Sequence, residues 1–286
     1  MLLYIQVIVS SLLMGLVYSL VAVGLNLIYG VMDVLNFAHG EFLMLSMYIC
    51  FWFGFLWKID PVISWIFASL FTFLLGLLVY KLLIRKVVNA PALASLLATF
   101  GLSIFLRNLA LYLWGPNYRF LNKTLLGDLR IVIGGVCIGA PQVFAGVASI
   151  VVTLVIYFMI RKTKLGWAIQ ATALDREAAQ LMGIDTEKIF ALTFGIGGAC
   201  VGVAGGMLSS FYYVFPEVGV LFSLIAFVSV ALGGFGSIGG AFWAGIIIGL
   251  AEGLGGFLIA PVFKYVIVFV IYLLVVFLRP RGLFGW

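Results

Sequence analysis

The chain has 286 residues, 65% of them hydrophobic and 9% charged, with a mean hydropathy of +1.28. Soluble domains carry about 25% charged residues, so a water-clothed globule is excluded and an integral membrane protein is expected. The net charge of +6 does not indicate nucleic acid, because the basic residues gather at the ends of apolar runs instead of interleaving with aromatics on one surface.

Stretches such as Ile63 to Tyr80 and Val262 to Leu278 are apolar on every side. They have the roughly 20-residue length that crosses a bilayer as a helix and lack the period-two alternation of membrane strands. The first run, about Leu3 to Tyr29, has no Lys or Arg before it and reads as a mature span, not a signal peptide. It ends in a polar break, Gly30 to Glu41, that holds Asp33, Asn36, His39 and Gly40. A second span ends near Trp57, the connection Lys58-Ile59-Asp60-Pro61 turns the chain, and a third covers Val62 to Tyr80. Lys81, Arg85 and Lys86 follow at once. Basic residues near span ends mark the cytoplasmic side, so the amino terminus is expected outside. A fourth run, about Ala92 to Trp114, is interrupted by Thr99, Gly101, Ser103 and Arg107, the last facing protein or snorkelling outward. The loop 115–141, with Arg119, Lys123, Asp128 and Arg130, shows no period and is expected as an external surface segment with at most short irregular elements.

Span five, about Gln142 to Ile160, leads to Arg161, Lys162 and Lys164, a second basic cluster on the same expected side. There a polar island, 161–189, begins. A glycine-laden span from about Phe190 to Val214, an external turn at Phe215-Pro216-Glu217 and a run from Val218 to Leu232 follow. The break Gly233 to Gly240, two spans (Ala241 to Ile259 and Val262 to Leu278) and the basic Arg279 and Arg281 complete the chain. The fold class is an all-α polytopic membrane helical bundle. It makes nine passes with a cytoplasmic carboxyl terminus, or eight if the run before Gly233 stops at mid-membrane or the fourth is re-entrant. Cys50, Cys137 and Cys200 fit no metal spacing and suggest no structural disulfide.

Small residues recur at four-residue spacing in Gly198, Gly202 and Gly206, in Gly236 and Gly240, and in Ala241, Gly245, Gly249 and Gly253. Such rows are read as helix faces for close packing in lipid. Glu252 and Lys264 lie inside apolar runs, where a charge costs at least about 2.5 kcal/mol unless paired or hydrated; a pair across helices, or a snorkelling Lys264, is expected.

The two breaks each follow a span running inward and precede one running outward, so they would mark two related halves. Interrupted helices in matching positions point to a transporter's substrate path, because backbone groups freed inside the membrane can coordinate a ligand. Candidates for that path are Asn26, Asn36, His39 and Glu41 with Gly233, Gly234, Gly236, Gly239 and Gly240. The alternative for His39 and Glu41 is helix capping. Catalysis finds little support: the one histidine belongs to no HExxH pair and to no Ser-His-Asp set.

Within the island, Trp167, Ala171, Leu174, Ala178 and Leu181 follow at steps of 4, 3, 4 and 3, one apolar stripe on a single short helix. Thr172 or Asp175 is placed to cap its start, Gly183 to end it, and Asp185 or Thr186 to cap the next helix. Asp175, Arg176 and Glu177 give a net acidic polar face, which favours docking into a partner's groove over binding anionic lipid.

The string Glu-Ala-Ala-Gln-Leu-Met-Gly, Glu177 to Gly183, resembles the EAA loop of ATP-binding-cassette (ABC) importer permeases. Together with GLNLIYGVMDVLNFAHGEFLM (Gly24 to Met44), TKLGWAIQATALDREAAQLMGI, GGFGSIGGAFWAGIIIGL and the terminal LRPRGLFG, the whole chain resembles the branched-chain amino acid permease family. Related permeases carry urea or other amides. The residues that end the longest form of the EAA motif are replaced here by Thr193 and Phe194.

The resemblance implies a single permease domain over 1–286 in a bacterial or archaeal cytoplasmic membrane. Its partners would be a second, similar permease subunit, two cytoplasmic ATPases and an extracytoplasmic amino-acid-binding protein. The ATPase-coupling surface would comprise Trp167, Ala171, Leu174, Asp175, Arg176, Glu177, Ala178, Ala179, Leu181 and Gly183. The chain has no GxxxxGK-S/T loop, so ATP and Mg would be held by the partners and no cofactor by this chain. A secondary transporter driven by an ion gradient is the alternative from another class; it would use paired intramembrane acids and gives no reason for an EAA-like helix.

Overall fold

The longest helix, α1 (Leu2–Met32), is the axis of the bundle: every residue from Gly15 to Ile28 is buried, the environment that suits a helix apolar all round. The computed structural model describes residues 2–121, 124–127, 129–279 and 282–284; Lys123, Asp128 and Arg281, named above, lie outside them. After α1 come α2 (His39–Trp57), then α3 (Pro61–Val79), which continues through a π-helical turn at Tyr80–Ile84 into α4 (Arg85–Val87), and α5 (Ala92–Trp114). A two-stranded hairpin, β1 (Arg130–Ile133) and β2 (Val136–Gly139), precedes α6 (Ala140–Lys162), α7 (Lys164–Leu174), α8 (Arg176–Leu181) and α9 (Thr186–Leu208). The chain ends with α10 (Val218–Gly233), α11 (Ile238–Leu258), a 3-10 turn at Pro261–Phe263 and α12 (Lys264–Leu278).

Among the described residues, eight helices are long and apolar enough to cross a membrane. α10 has 16 residues, about 24 Å at 1.5 Å per residue, short of the ~30 Å hydrocarbon layer. Nine full passes are therefore corrected to eight and one short helix, and α5 is continuous over 23 residues, not re-entrant in form.

Glycine rows set the packing. α11 runs antiparallel along α1: a Cβ on Gly245 would lie 2.5 Å from the Ser19 backbone, and Gly249 and Gly253 are pressed against Gly15 and Ser11. α9 presents Gly198, Gly202 and Gly206 to α3, where a Cβ on Gly206 would lie 2.6 Å from Trp65 and one on Gly198 2.6 Å from the Thr72 carbonyl. These rows pack helices as expected. The pair Gly236 and Gly240 does not, because Gly236 lies in the break with φ +81° while Gly240 belongs to α11.

Three other expectations are corrected. The loop 115–141 contains an ordered hairpin, pairing Arg130 with Gly139 through Ile133 with Val136 around Gly134 and Gly135, both at positive φ, the two-residue turn that joins twisted strands. The glycine-laden span begins at Thr186 and stops at Leu208. The island helix is divided at Asp175, whose extended backbone (φ −154°, ψ 110°) separates α7 from α8.

Both basic clusters lie at one end of the bundle. Arg85 Nη2 meets Glu187 Oε2 at 2.7 Å, and Arg176 donates to Asn89 Oδ1, so the segments after α3 and around α7 and α8 converge there.

Candidate functional site

The two breaks flank the middle and the basic-end part of α1. In the first, Asp33 takes a positive φ of 54° after α1 and the chain turns back along the helix, so that His39, at the start of α2, reaches the Val21 carbonyl at 3.0 Å. The carbonyl accepts, so Nε2 carries the proton and Nδ1 is left without a partner among the described residues. Ala38 is the N-cap of α2 and supplies no side-chain hydrogen bond, and His39 bonds the α1 backbone, not an N–H of its own helix. Asn36 stabilises the turn locally, its Oδ1 accepting from Ala38 N at 3.1 Å. Gly40 abuts the Gly219 backbone and donates to Ser223 Oγ at 2.9 Å, which locks the break to α10. Glu41, 1% exposed, faces Arg107 of α5, with Nη2 3.7 Å from Oε1.

At the second break α10 ends and Ser237 starts α11 by accepting from Gly240 N at 3.2 Å. Asn26, fully buried in α1, donates to Ser237 O at 2.7 Å and Gly234 O at 3.4 Å, and its Oδ1 accepts from Gly236 N at 2.8 Å. One side chain thus replaces the helix bonds that the break forfeits, as buried backbone groups in a membrane require. From the other side, Leu283 N donates to Leu232 O at 2.8 Å. A cavity of about 730 Å³ opens against this break, lined by Asn26, Gly30, Gly236, Gly239 and Gly240 with Tyr157, Arg161, Gln170 and Trp243.

The structure therefore groups Asn26, Gly236, Gly239 and Gly240 on one cavity and places Asn36, His39 and Glu41 elsewhere, Asn36 within its own turn, His39 against α1 and Glu41 facing α5. Gly233 packs on the Gly240 backbone and Gly234 on Gly282; neither lines the cavity. Sequence reasoning missed Arg161, Gln170 and Trp243, because their part depends on contacts between distant segments. The expected intramembrane pair is present: Lys264 Nζ lies 3.0 Å from Glu252 Oε1 and Tyr18 Oη donates to Oε2 at 2.6 Å.

The island presents a second site. Thr163 caps α7 by accepting from Gly166 N at 3.1 Å, and Gln170 Nε2 donates to Ile160 O at 2.6 Å, so α7 is fastened to the end of α6. Gly166, Ile169 and Thr172 face the bundle. Trp167, Leu174, Leu181 and Met182 face out, the last three more than four-fifths exposed. Asp175 caps α8 by accepting from Ala178 N at 3.0 Å, Gly183 ends it at φ +83°, and Asp185 caps α9 by accepting from Lys188 N at 3.1 Å. The Lys188 ammonium and backbone N–H hold the Asp185 carboxyl below its ordinary range. Glu177 and Ala178 are exposed, Ala171 is half-buried, Ala179 is buried against the bundle, and the Arg176 guanidinium stacks 4.9 Å from the Phe190 ring.

Residues 7–276 match the family model of the branched-chain amino acid transport system permease component. The chain belongs to this family. It is 31% identical over 99% of its length to the high-affinity branched-chain amino acid transport system permease protein LivH of Escherichia coli (strain K12), covering 96% of that protein. It is 32% identical to the corresponding permease protein BraD of Pseudomonas aeruginosa, over 99% of this chain and 96% of the relative. No solved structure matches. As a member of this permease family, the chain is a multi-pass protein of the cytoplasmic membrane and a transport subunit.

Proposed function

We propose that the chain is one of two permease subunits of an ATP-driven importer of branched-chain amino acids, with its amino terminus outside and the α7–α8 end in the cytoplasm. The observation that carries this is the outward apolar surface of Trp167, Leu174, Leu181 and Met182, set on an element fastened to the wall of the break cavity through Gln170. An apolar surface ringed by Asp175 and Glu177 suits a groove in a soluble ATPase. Closure of two such ATPases would push α7, and through Ile160 the end of α6, against the second break, alternating access to the path. ATP and Mg are held by the ATPases, and an extracytoplasmic binding protein delivers the cargo. The two breaks relate two halves of the permease.

The test is uptake into vesicles of labelled leucine, glutamate and urea by the complete complex. ATP-dependent leucine uptake is expected, and Gly183→Val, which forces a β-branched residue to positive φ, should leave ATP hydrolysis and abolish its coupling to uptake. Uptake of urea alone would reassign the cargo to amides. Leucine uptake on an imposed ion gradient without the ATPases would overturn the mechanism.

A further inference from the structure

We propose that Glu41 and Arg107 receive the two charges of the cargo, Arg107 the carboxylate and Glu41 the ammonium of a zwitterion; this rests on the reading that the cargo is an amino acid. Two intramembrane ion pairs among the described residues differ. At Glu252 both carboxylate oxygens are engaged, by Lys264 at 3.0 Å and Tyr18 at 2.6 Å, a closed structural arrangement. At Glu41 the nearest guanidinium nitrogen stands 3.7 Å away, beyond hydrogen-bond length. Each partner there keeps a buried atom without a hydrogen bond among the described residues, Oε2 on Glu41 and Nε on Arg107.

Buried polar atoms in native proteins are paired, and charges within a membrane mark substrate routes. One free acceptor and one free donor on opposed charges are the complement of a ligand bearing an ammonium and a carboxylate on one carbon. Access comes from α5: the Arg107 side chain is 31% exposed while that of Glu41 is 2% exposed, so the pair reaches from the open face of α5 to the first break. Phe100 and Ile104, both exposed on that helix, offer apolar surface for a branched side chain.

The test compares Glu41→Gln, Arg107→Gln and the double variant in the complete complex with leucine-loaded binding protein. Removing one member of a structural pair strands the other charge, whereas removing both relieves it, so the cycle separates the roles. Each single variant should lower leucine uptake roughly tenfold or more, the loss of one hydrogen bond to a charged group, and the double should be no better than the worse single. ATPase stimulation by the binding protein and co-purification of the subunits should persist. Near wild-type uptake in the double variant, or in either single, overturns the proposal. If a neutral variant fails to assemble, Glu41→Asp and Arg107→Lys keep the charges and change their reach: a comparable fall in uptake supports the proposal and an unchanged rate overturns it. A wild-type complex that takes up no leucine with ATP fails the transport reading itself, before any variant is compared.

Discussion

Asn26 shows how much one side chain holds. It satisfies two carbonyls and one N–H of a break 208 to 211 residues away. Asn26→Ala would strand these groups at about 1–3 kcal/mol each, so the thermal midpoint of the purified complex should fall by several degrees and leucine uptake with it; an unchanged midpoint would show that water replaces the amide. Asn26 was visible in the sequence as a polar residue in an apolar helix, but its partners were not, since nothing local pairs Leu25-Asn26-Leu27 with Gly234 to Ser237. His39 shows the converse. Its position at a helix start suggested capping, yet burial against α1 turned the ring toward Val21, a choice made by tertiary packing and not by the neighbouring residues.

At the scale of elements, the island teaches why spacing alone misleads. Apolar steps of 4, 3, 4 and 3 are compatible with one helix, but the Asp175 carboxylate competes for a backbone N–H, that of Ala178, and such competition breaks helices in favour of caps. The division re-aims Leu181 and Met182 relative to Trp167. Asp175→Ala should weaken α8 by about 1 kcal/mol and raise the ATP hydrolysed per leucine imported, whereas Asp175→Asn should retain coupling; equal ratios in both variants would deny the cap any part in transmission. The hairpin Arg130 to Gly139 lacks a helical period, and its signal is a different one, Gly-Gly between the β-branched Ile133 and Val136. The membrane spans, by contrast, were legible because lipid permits only a few solutions for long apolar runs.

For the whole molecule, orientation is the property to measure. Cys137 is exposed on the hairpin while Cys50 and Cys200 are buried. A membrane-impermeant maleimide should therefore modify one thiol per chain in right-side-out vesicles, and none in Cys137→Ser; modification only of inverted vesicles would reverse the proposed topology. The glycine seam between α1 and α11 also bears on how the protein is made. Tyr18 and its partner Glu252 are separated by 234 residues, so at a synthesis rate of 5–20 residues per second the first helix waits roughly 10–50 s for the helix that completes its surroundings. During that interval Ser19, Asn26 and Tyr18 stand in lipid without their final partners, and a ribosome that stalls before α11 releases a chain whose central helix is its least finished part. Membrane quality control would find its target there.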